Sequence, residues 1–396
     1  MSSKSLQELV REVVPFGVEA RRWLHQHPEL SFQEKETSAY VAAKLREMGY
    51  EPQVGIGGGY GIKAVLKGAR PGRTIALRAD MDALPIAEET GLPFASTIPG
   101  VMHACGHDMH TATLLATAKA LKSLEGELAG NVVFIFQPAE ETLPGGAISM
   151  IRDGVLENPH VDAVFGMHVD PFLPAGQLAF GAGPRYAAAD MFDVTIYGRG
   201  GHGAAPHQTV DAVLVGAQVV SALQHIHSRQ MDPMDQLVVT VGHFQAGSKH
   251  NIIADTALLQ GTVRNMSPAL RERIAAMMEQ VIAGVCATYG AGFKFDYHRG
   301  YPVLVNDPAM TEVARAAGAK TVGADSVKES PSAMYGEDFS YFLQERPGSF
   351  GSLGAREPDA TECYPCHHPK LMVADEQAMP VGVAYYLNLV TTYLAG

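Results

Sequence analysis

Three short apolar runs in this chain each end on an acid or a histidine. TIALRA meets Asp80 and Asp82, NVVFIF is followed within a few residues by Glu140 and Glu141, and AVFGM meets His168. None of the runs alternates polar with apolar, so each reads as a strand buried on both faces of a sheet. In open α/β sheets, ligands bind outside the carboxyl ends of the strands. The polar residues therefore collect where such a fold builds its site.

Helical periodicity frames these strands. It runs over SLQELVREVVPFGVEARRWLHQHP, over KETSAYVAAKLREMG as far as Gly49, and over HDMHTATLLATAKALKSL. IKAVLKG supplies a further strand. Near Pro184 the pattern changes. DMFDVTIYG alternates with period two and sets Phe192, Val194 and Ile196 on one face. A helix over TVDAVLVGAQVVSALQHIHSR, the strands QLVVTVGHF and TALLQGTVRN, a helix starting at Pro268 behind an N-cap Ser267, and the strand FKFDYHR follow. The order β-α-β-β-α-β is that of a ferredoxin-like α+β domain. The expected fold is α/β, with a central mixed sheet flanked by helices over 1–184 and 299–396. A ferredoxin-like domain is inserted at 185–298. A length of 396 residues suits two cores.

The side chains at the strand ends are of types that metals favour. Cys105 and His107 lie in HACGHDMH, Glu141 in QPAEE, His168 in GMHV and His367 in CHHP. Cys105 and His107 sit just before a helix start, where the dipole and a cation would favour a thiolate. Asp108 is placed to fix the tautomer of a ligand imidazole, and His103 and His110 are surplus to the set. Two adjacent carboxylates in a low-dielectric pocket repel unless a cation relieves them. Glu140 and Glu141 thus read as a divided pair, one on metal and one free to take a proton from an acidified water. Pro369 fixes the backbone behind His367-His368.

With these motifs on the page, the chain resembles the M20 metallopeptidases, in the amidohydrolase branch that holds hippurate hydrolases and the plant indoleacetyl-amino acid hydrolases. RRWLHQHPELSFQE, LRADMDALPI, HACGHDMHTATLL, QPAEE, GRGGHGAAPH, GTVRN, GEDFSYF and HHP carry the resemblance in order along nearly the whole chain. It implies a catalytic domain with two divalent metal ions and an inserted lid that mediates dimerisation. It places ligands on Cys105, His107, Glu141, His168 and His367, and the general base on Glu140. It also implies a lid histidine, His202, that reaches the partner subunit's site, and a grip on the substrate carboxylate by Asn251 and Arg264. The reaction implied is hydrolysis of N-acyl amino acids to a carboxylic acid and a free amino acid. Dipeptide or peptide C-terminal cleavage is the alternative at the same site. The chain departs from the family at Ala254, where proline is usual, and at Cys363-Tyr-Pro-Cys366, which precedes His367. Asp80 stands where other branches carry a metal histidine, and its role is open. His25, His27 and Glu29 match the family and read as hydrogen-bonding residues.

The net charge of −12 argues against nucleic acid and anionic membranes as partners, while local arginines can still bind an anionic substrate. No run approaches the roughly 18 apolar residues of a membrane span. Four cysteines and an N-terminus without a signal pattern point to a reducing cytoplasm. A homodimer or higher homo-oligomer through the lid is expected. Imidazole and carboxylate admit Mn, Co, Ni or Zn, and the thiolate leans toward the softer ions. A non-catalytic member is disfavoured by the complete ligand set, and a closed structural zinc site by having only two cysteines close together.

Overall fold

The structure is a computed structural model that describes residues 5–395. Met1–Lys4, the first residues of the expected helical start, lie outside them. The described chain divides into two compact units, 5–183 with 305–331 and 338–395, and 184–304 with 332–337.

In chain order the first unit opens with α1 (Leu6–Gln26), α2 (Lys35–Glu47), β1 (Gln53–Ile56), β2 (Gly61–Lys67) and β3 (Arg70–Asp80). It continues through α3 (His107–Lys122), β4 (Ala129–Gln137), α4 (Gly146–Arg152), β5 (Ala163–Pro174) and β6 (Leu178–Phe180). A capping box starts α1: Glu8 N donates to Ser5 Oγ, and Ser5 N donates to Glu8 Oε2 at 2.8 Å.

The second unit holds β7 (Ala188–Tyr197), α5 (Ala212–Arg229), β8 (Leu237–Ala246), β9 (Thr256–Asn265), α6 (Pro268–Tyr289) and β10 (Gly292–Tyr301). The chain then returns to the first unit as α7 (Pro308–Val322), β11 (Val327–Glu329), α8 (Ser340–Glu345), β12 (Gly348–Arg356) and α9 (Asp375–Ala395).

The sheet of the first unit has the order β1-β2-β4-β3-β5-β12-β6-β11. Its centre, β4-β3-β5-β12, is parallel. The β1-β2, β2-β4 and β12-β6 pairs are antiparallel, so the sheet is mixed. Phe134, Phe136 and Phe165 are fully buried along β4 and β5. Each such side chain contributes roughly 1.5–3 kcal/mol through burial. Helices α1, α3 and α9 pack on one another. The parallel centre points the carboxyl ends of β3, β4 and β5 the same way, which is what assembles the site.

The sheet of the second unit runs β8-β9-β7-β10, antiparallel throughout. Phe192, Val194 and Ile196 face Val219 and Leu223 of α5 and Ile274 and Met278 of α6 in one apolar core. Ser267 caps α6 by accepting from Leu270 N. The unit extends beyond residue 298 because β10 continues to Tyr301 after a bulge. It also takes in 332–337, whose backbone pairs with 185–187: Ala333 N donates to Arg185 O and Ala187 N to Tyr335 O, each at 2.9 Å. Among the described residues, no helix is long and apolar enough to cross a membrane.

Candidate metal centre

Cys105, His107, Glu140, Glu141, His168 and His367 all belong to the first unit. Asp80 ends β3, Glu140 and Glu141 follow β4, His168 lies in β5, and His107 opens α3 behind Gly106, which takes a left-handed φ of 88°. Donor atoms of Cys105, His107 and His168 lie within 4.8 Å of one another, and so do those of Cys105, Glu141 and His367 and those of His107, Glu140 and Glu141. Cys105 Sγ is 3.3 Å from His168 Nε2, and His367 Nε2 is 3.0 Å from Glu141 Oε1. Two residues beside the site adopt left-handed backbone without being glycine: Ala139 (φ 54°) and His367 (φ 66°). Conformations of this kind cost on the order of 1–3 kcal/mol and collect at functional sites. The amide of Ala139 is held by Glu34 Oε1 at 2.7 Å, and that of His367 by Ala104 O at 2.7 Å.

The imidazole tautomers follow from the partners of the other ring nitrogen. His168 Nδ1 donates to Val169 O at 2.7 Å, which leaves Nε2 with its lone pair. His107 Nδ1 donates to Asp82 O at 2.9 Å and lies 3.2 Å from Asp82 Oδ1, again leaving Nε2. Asp82 also accepts from Ser31 Oγ at 2.7 Å and from the amide of Glu141 at 3.0 Å. It orients two candidate ligands at once. Asp108, expected in this role, is turned away and pairs with Arg21 Nε and His25 Nδ1, each at 2.8 Å. Helix geometry explains the exchange: residues 107 and 108 project about 100° apart, so only one faces the strand ends. His25 Nε2 reaches Glu88 at 3.2 Å, Glu29 accepts from the amides of Glu36 and Thr37, and His27 Nδ1 donates to Trp23 O. These three are hydrogen-bonding residues, as their positions in the sequence suggest.

Asp80 is fully buried between Arg78, whose Nη1 lies 2.6 Å from Oδ2, and His110, whose Nδ1 donates to Oδ1 at 2.6 Å. His110 Nε2 accepts from the amide of Val169, so this histidine braces the strand that carries His168. Burial opposes the charge on Asp80, but Arg78, His107 and His110 outweigh it and hold the carboxyl well below its usual range. Burial likewise opposes charge on His107, and Asp80, Asp82 and Glu141 outweigh it, raising that imidazole well above 6.5, so a cation at Nε2 would displace a proton. Burial lowers His103 and His110 to about 4, so both rings are neutral. Arg78 Nη2 and Gln137 Nε2 both donate to Asp338, as does the amide of Ala147 at 3.0 Å. This network ties β3, β4 and α4 together beside Glu140.

The donor set fits divalent metal. His107 Nε2 is buried without a hydrogen-bond partner, and Glu141 Oε1 is met by the His367 imidazole at 3.0 Å. Buried polar atoms of this kind are costly unless something satisfies them. The Cys105 thiol is pushed well up, first by the hydrogen bond it shares with Cys366, then by burial and by the charges of Glu141 and Glu140. The helix start alone therefore does not ionise this thiol. A cation would satisfy His107 Nε2, relieve the carboxylates and ionise the cysteine together.

Residues 76–392 match the description peptidase family M20/M25/M40. The chain belongs to this family. As an M20 member it is a hydrolase of amide bonds. It is 45% identical over 306 residues to the N-acyl-L-amino acid amidohydrolase of Geobacillus stearothermophilus, covering 77% of this chain and 82% of that one. It is 38% identical over 393 residues to thermostable carboxypeptidase 1 of Saccharolobus solfataricus, covering 98% of each. Among solved structures, the YXEP protein of Bacillus subtilis, described as a dinuclear metal binding peptidase from M20 family, superposes with a TM-score of 0.85 at 36% identity, over 97% of this chain and 99% of that chain.

The remaining M20 positions singled out in the sequence lie in the second unit. His202 is exposed, pairs through its backbone with Ile252, and accepts from the amide of Ala204 at its Nδ1. Asn251 is its neighbour, with Gly203 N donating to Asn251 O at 2.9 Å. Arg264 is half-buried near the other end of β9, opposite Ala189 and Val238. The structure thus brings His202 and Asn251 together and sets Arg264 apart. Asp82, Glu34 and Asp338 are the supporting residues to which sequence reasoning gave no role. LRADMDALPI and GEDFSYF contain two of them, but neither motif says what its acid touches.

Proposed function

We propose that the chain hydrolyses N-acyl amino acids to a carboxylic acid and a free amino acid. The supporting observation is one cluster, buried at Cys105, His107 and Glu140 and open to solvent at His367, that combines a thiol, three imidazoles and two adjacent carboxylates with an unpartnered His107 Nε2. Cys105, His107, Glu141, His168 and His367 would hold two divalent ions. Such ions acidify a water and polarise a carbonyl. Glu140, within 4.8 Å of both His107 and Glu141 at its donor atom, takes the proton of the attacking water and passes it to the leaving nitrogen. His202 donates a hydrogen bond to the carbonyl oxygen as charge develops there. Arg264 grips the substrate carboxylate through two parallel hydrogen bonds. Burial lowers the pKa of Arg264, with Asp190 opposing, and partial desolvation of this kind strengthens its pull on an anion.

The first unit is read as the catalytic domain and the second as a lid through which two chains associate. Eight residues of β9 separate Thr256 from Arg264, or about 26 Å of strand. Asn251 lies beyond the Thr256 end. With Asn251 and Arg264 set apart along one lid in this way, the shared grip on one carboxylate is read as drawing on two subunits. His202 travels with Asn251 and would enter the partner's site beside it.

Two experiments test this reading. A panel of N-acetyl, N-benzoyl and dipeptide substrates on metal-reconstituted protein should favour the N-acyl amino acids; exclusive turnover of dipeptides rejects them. The second reading, dipeptidase or carboxypeptidase action, draws on the relative named a carboxypeptidase. For the shared site, inactive Glu140→Gln and His202→Ala subunits are mixed under exchange. Recovered activity supports it, and exchange without recovery rejects it.

A further inference from the structure

The Cys-Tyr-Pro-Cys segment is not used by the proposed hydrolysis, yet it meets the metal centre. His367 N donates to Ala104 O at 2.7 Å, which lays the segment carrying Cys366 onto the one carrying Cys105. Cys366 Sγ lies 3.9 Å from Cys105 O, so both thiols sit where the two segments meet. Both are free thiols. Cys105 is buried and Cys366 is half-buried, so a small solute can approach the second more readily than the first. Cys363 is half-buried three residues away, and no hydrogen bond or ion pair engages it among the described residues. Cys286 is buried in the core of the second unit.

We propose that Cys105 and Cys366 form a reversible disulfide under peroxide, making this pair an oxidative modification site that removes a ligand from the metal centre. Peroxide oxygen bonds to the Cys366 sulfur as the O–O bond breaks, and the departing hydroxide takes up a proton as water. The Cys105 sulfur then attacks the resulting sulfenic acid, forming the S–S bond and releasing the second water. Two thiols are oxidised and one hydrogen peroxide is reduced to two waters.

The consequence is large because Cys105 is common to two donor groups. It stands with His107 and His168 in one, and with Glu141 and His367 in the other. Its sulfur, once in a disulfide, is no longer available to either. A thiolate dithiol donor or dithiothreitol reverses the step by exchange. The loss of metal rests on reading Cys105 as a ligand, whereas the cross-link itself does not.

The test uses the full-length chain in two arms, stripped with chelator or loaded with zinc. Each is treated with equimolar hydrogen peroxide, alkylated, and digested without reductant for mass spectrometry. In the stripped arm we expect a peptide joining Cys105 to Cys366, loss of two of the four free thiols, and recovery of both with dithiothreitol. Zinc uptake by elemental analysis should fall with the oxidised fraction and return on reduction. Cys363→Ser keeps the cross-link, and Cys366→Ser and Cys366→Ala abolish it. A Cys363–Cys366 linkage, or oxidation of Cys366 with no partner, overturns the proposal. If the Cys105–Cys366 link forms as fast in the zinc arm as in the stripped arm, the disulfide stands and the ligand reading of Cys105 fails.

Discussion

The candidate metal centre of the first unit and the His202 turn of the second hold the imidazoles of the proposed mechanism in different settings. In the centre, each ring or its backbone has a second tether. Asp82 holds His107, Val169 O holds His168, and Ala104 O holds the backbone of His367. At His202 the ring accepts from the amide two residues on, while the backbone pairs with Ile252 and accepts from Ala205 N; the ring is exposed, as is that of His367. A ligand must be aimed before metal arrives, so its orientation is fixed by neighbours in its own unit. A group that meets substrate from outside its own unit gains its last contacts only on assembly. The comparison predicts that substitutions at the proposed ligands and the residues that orient them alter metal binding, whereas substitutions at the turn alter turnover alone.

The sharpest way to break it lies at the two residues assigned to proton transfer and oxyanion binding. Glu140→Gln should lower kcat by about 10³–10⁴-fold, near the upper range for a general base, with metal content unchanged. Near-normal kcat in metal-loaded protein would remove Glu140 from the base role. His202→Ala should cost about 10²–10³-fold in kcat, as for a lost oxyanion donor, without altering Tm or metal content. Loss of metal in His202→Ala would erase the contrast between the two regions.

A finer test separates Asp82 from Asp108. Both are buried acids beside the same helix start. Asp82→Asn should weaken metal affinity by about 10–100-fold, because it orients His107 and the Glu141 backbone. Asp108→Asn should leave metal affinity unchanged and lower Tm, because its partners are Arg21 and His25. Competitive metal titration and thermal melts read the two effects, and a reversed outcome would restore Asp108 as the tautomer-fixing acid.

That exchange shows where sequence reading reaches and where it stops. The apolar runs of β3, β4 and β5 announce buried parallel strands, and ligand types at their ends announce the centre. The strand β12 is hidden because its sequence, GSFGSLGAR, is rich in glycine. Its glycines answer to neighbours elsewhere in the chain: a Cβ at Gly351 would stand 2.4 Å from Phe180, and one at Gly348 would stand 2.0 Å from Val164 O. Gly145-Gly146, a pair whose composition favours loops, opens α4, where a Cβ on Gly146 would stand 1.9 Å from Pro138 O. Close approach between distant segments leaves no periodicity to read. The same holds for Asp82 and Glu34, whose meaning lies in partners far along the chain.

Glu34 supports the smallest prediction, a change in pH dependence without a change in chemistry. It is buried, one oxygen holds the amide of Ala139, and burial with the Asp82 charge raises it to about 7. A carboxyl raised above its unfolded value of 4.5 stabilises fully below pH 4.5, and that contribution is lost as pH rises through about 7. His103 and His110, lowered from 6.5 to about 4, act in the other direction: their stability is present above pH 6.5 and lost as pH falls through about 4. The two limbs overlap between pH 4.5 and 6.5 with opposite slopes. Glu34→Gln keeps an oxygen to accept from Ala139 N and removes the titration, so the histidine limb is uncovered. In chelated protein, stability should then rise more steeply from pH 5 to 7, gaining about 2 kcal/mol relative to wild type over that interval. Turnover at neutral pH should stay near wild type, because the backbone before Glu140 is still held. Parallel denaturant titrations at each pH decide it. If the two proteins give parallel curves, Glu34 is ionised throughout and holds Ala139 as a carboxylate.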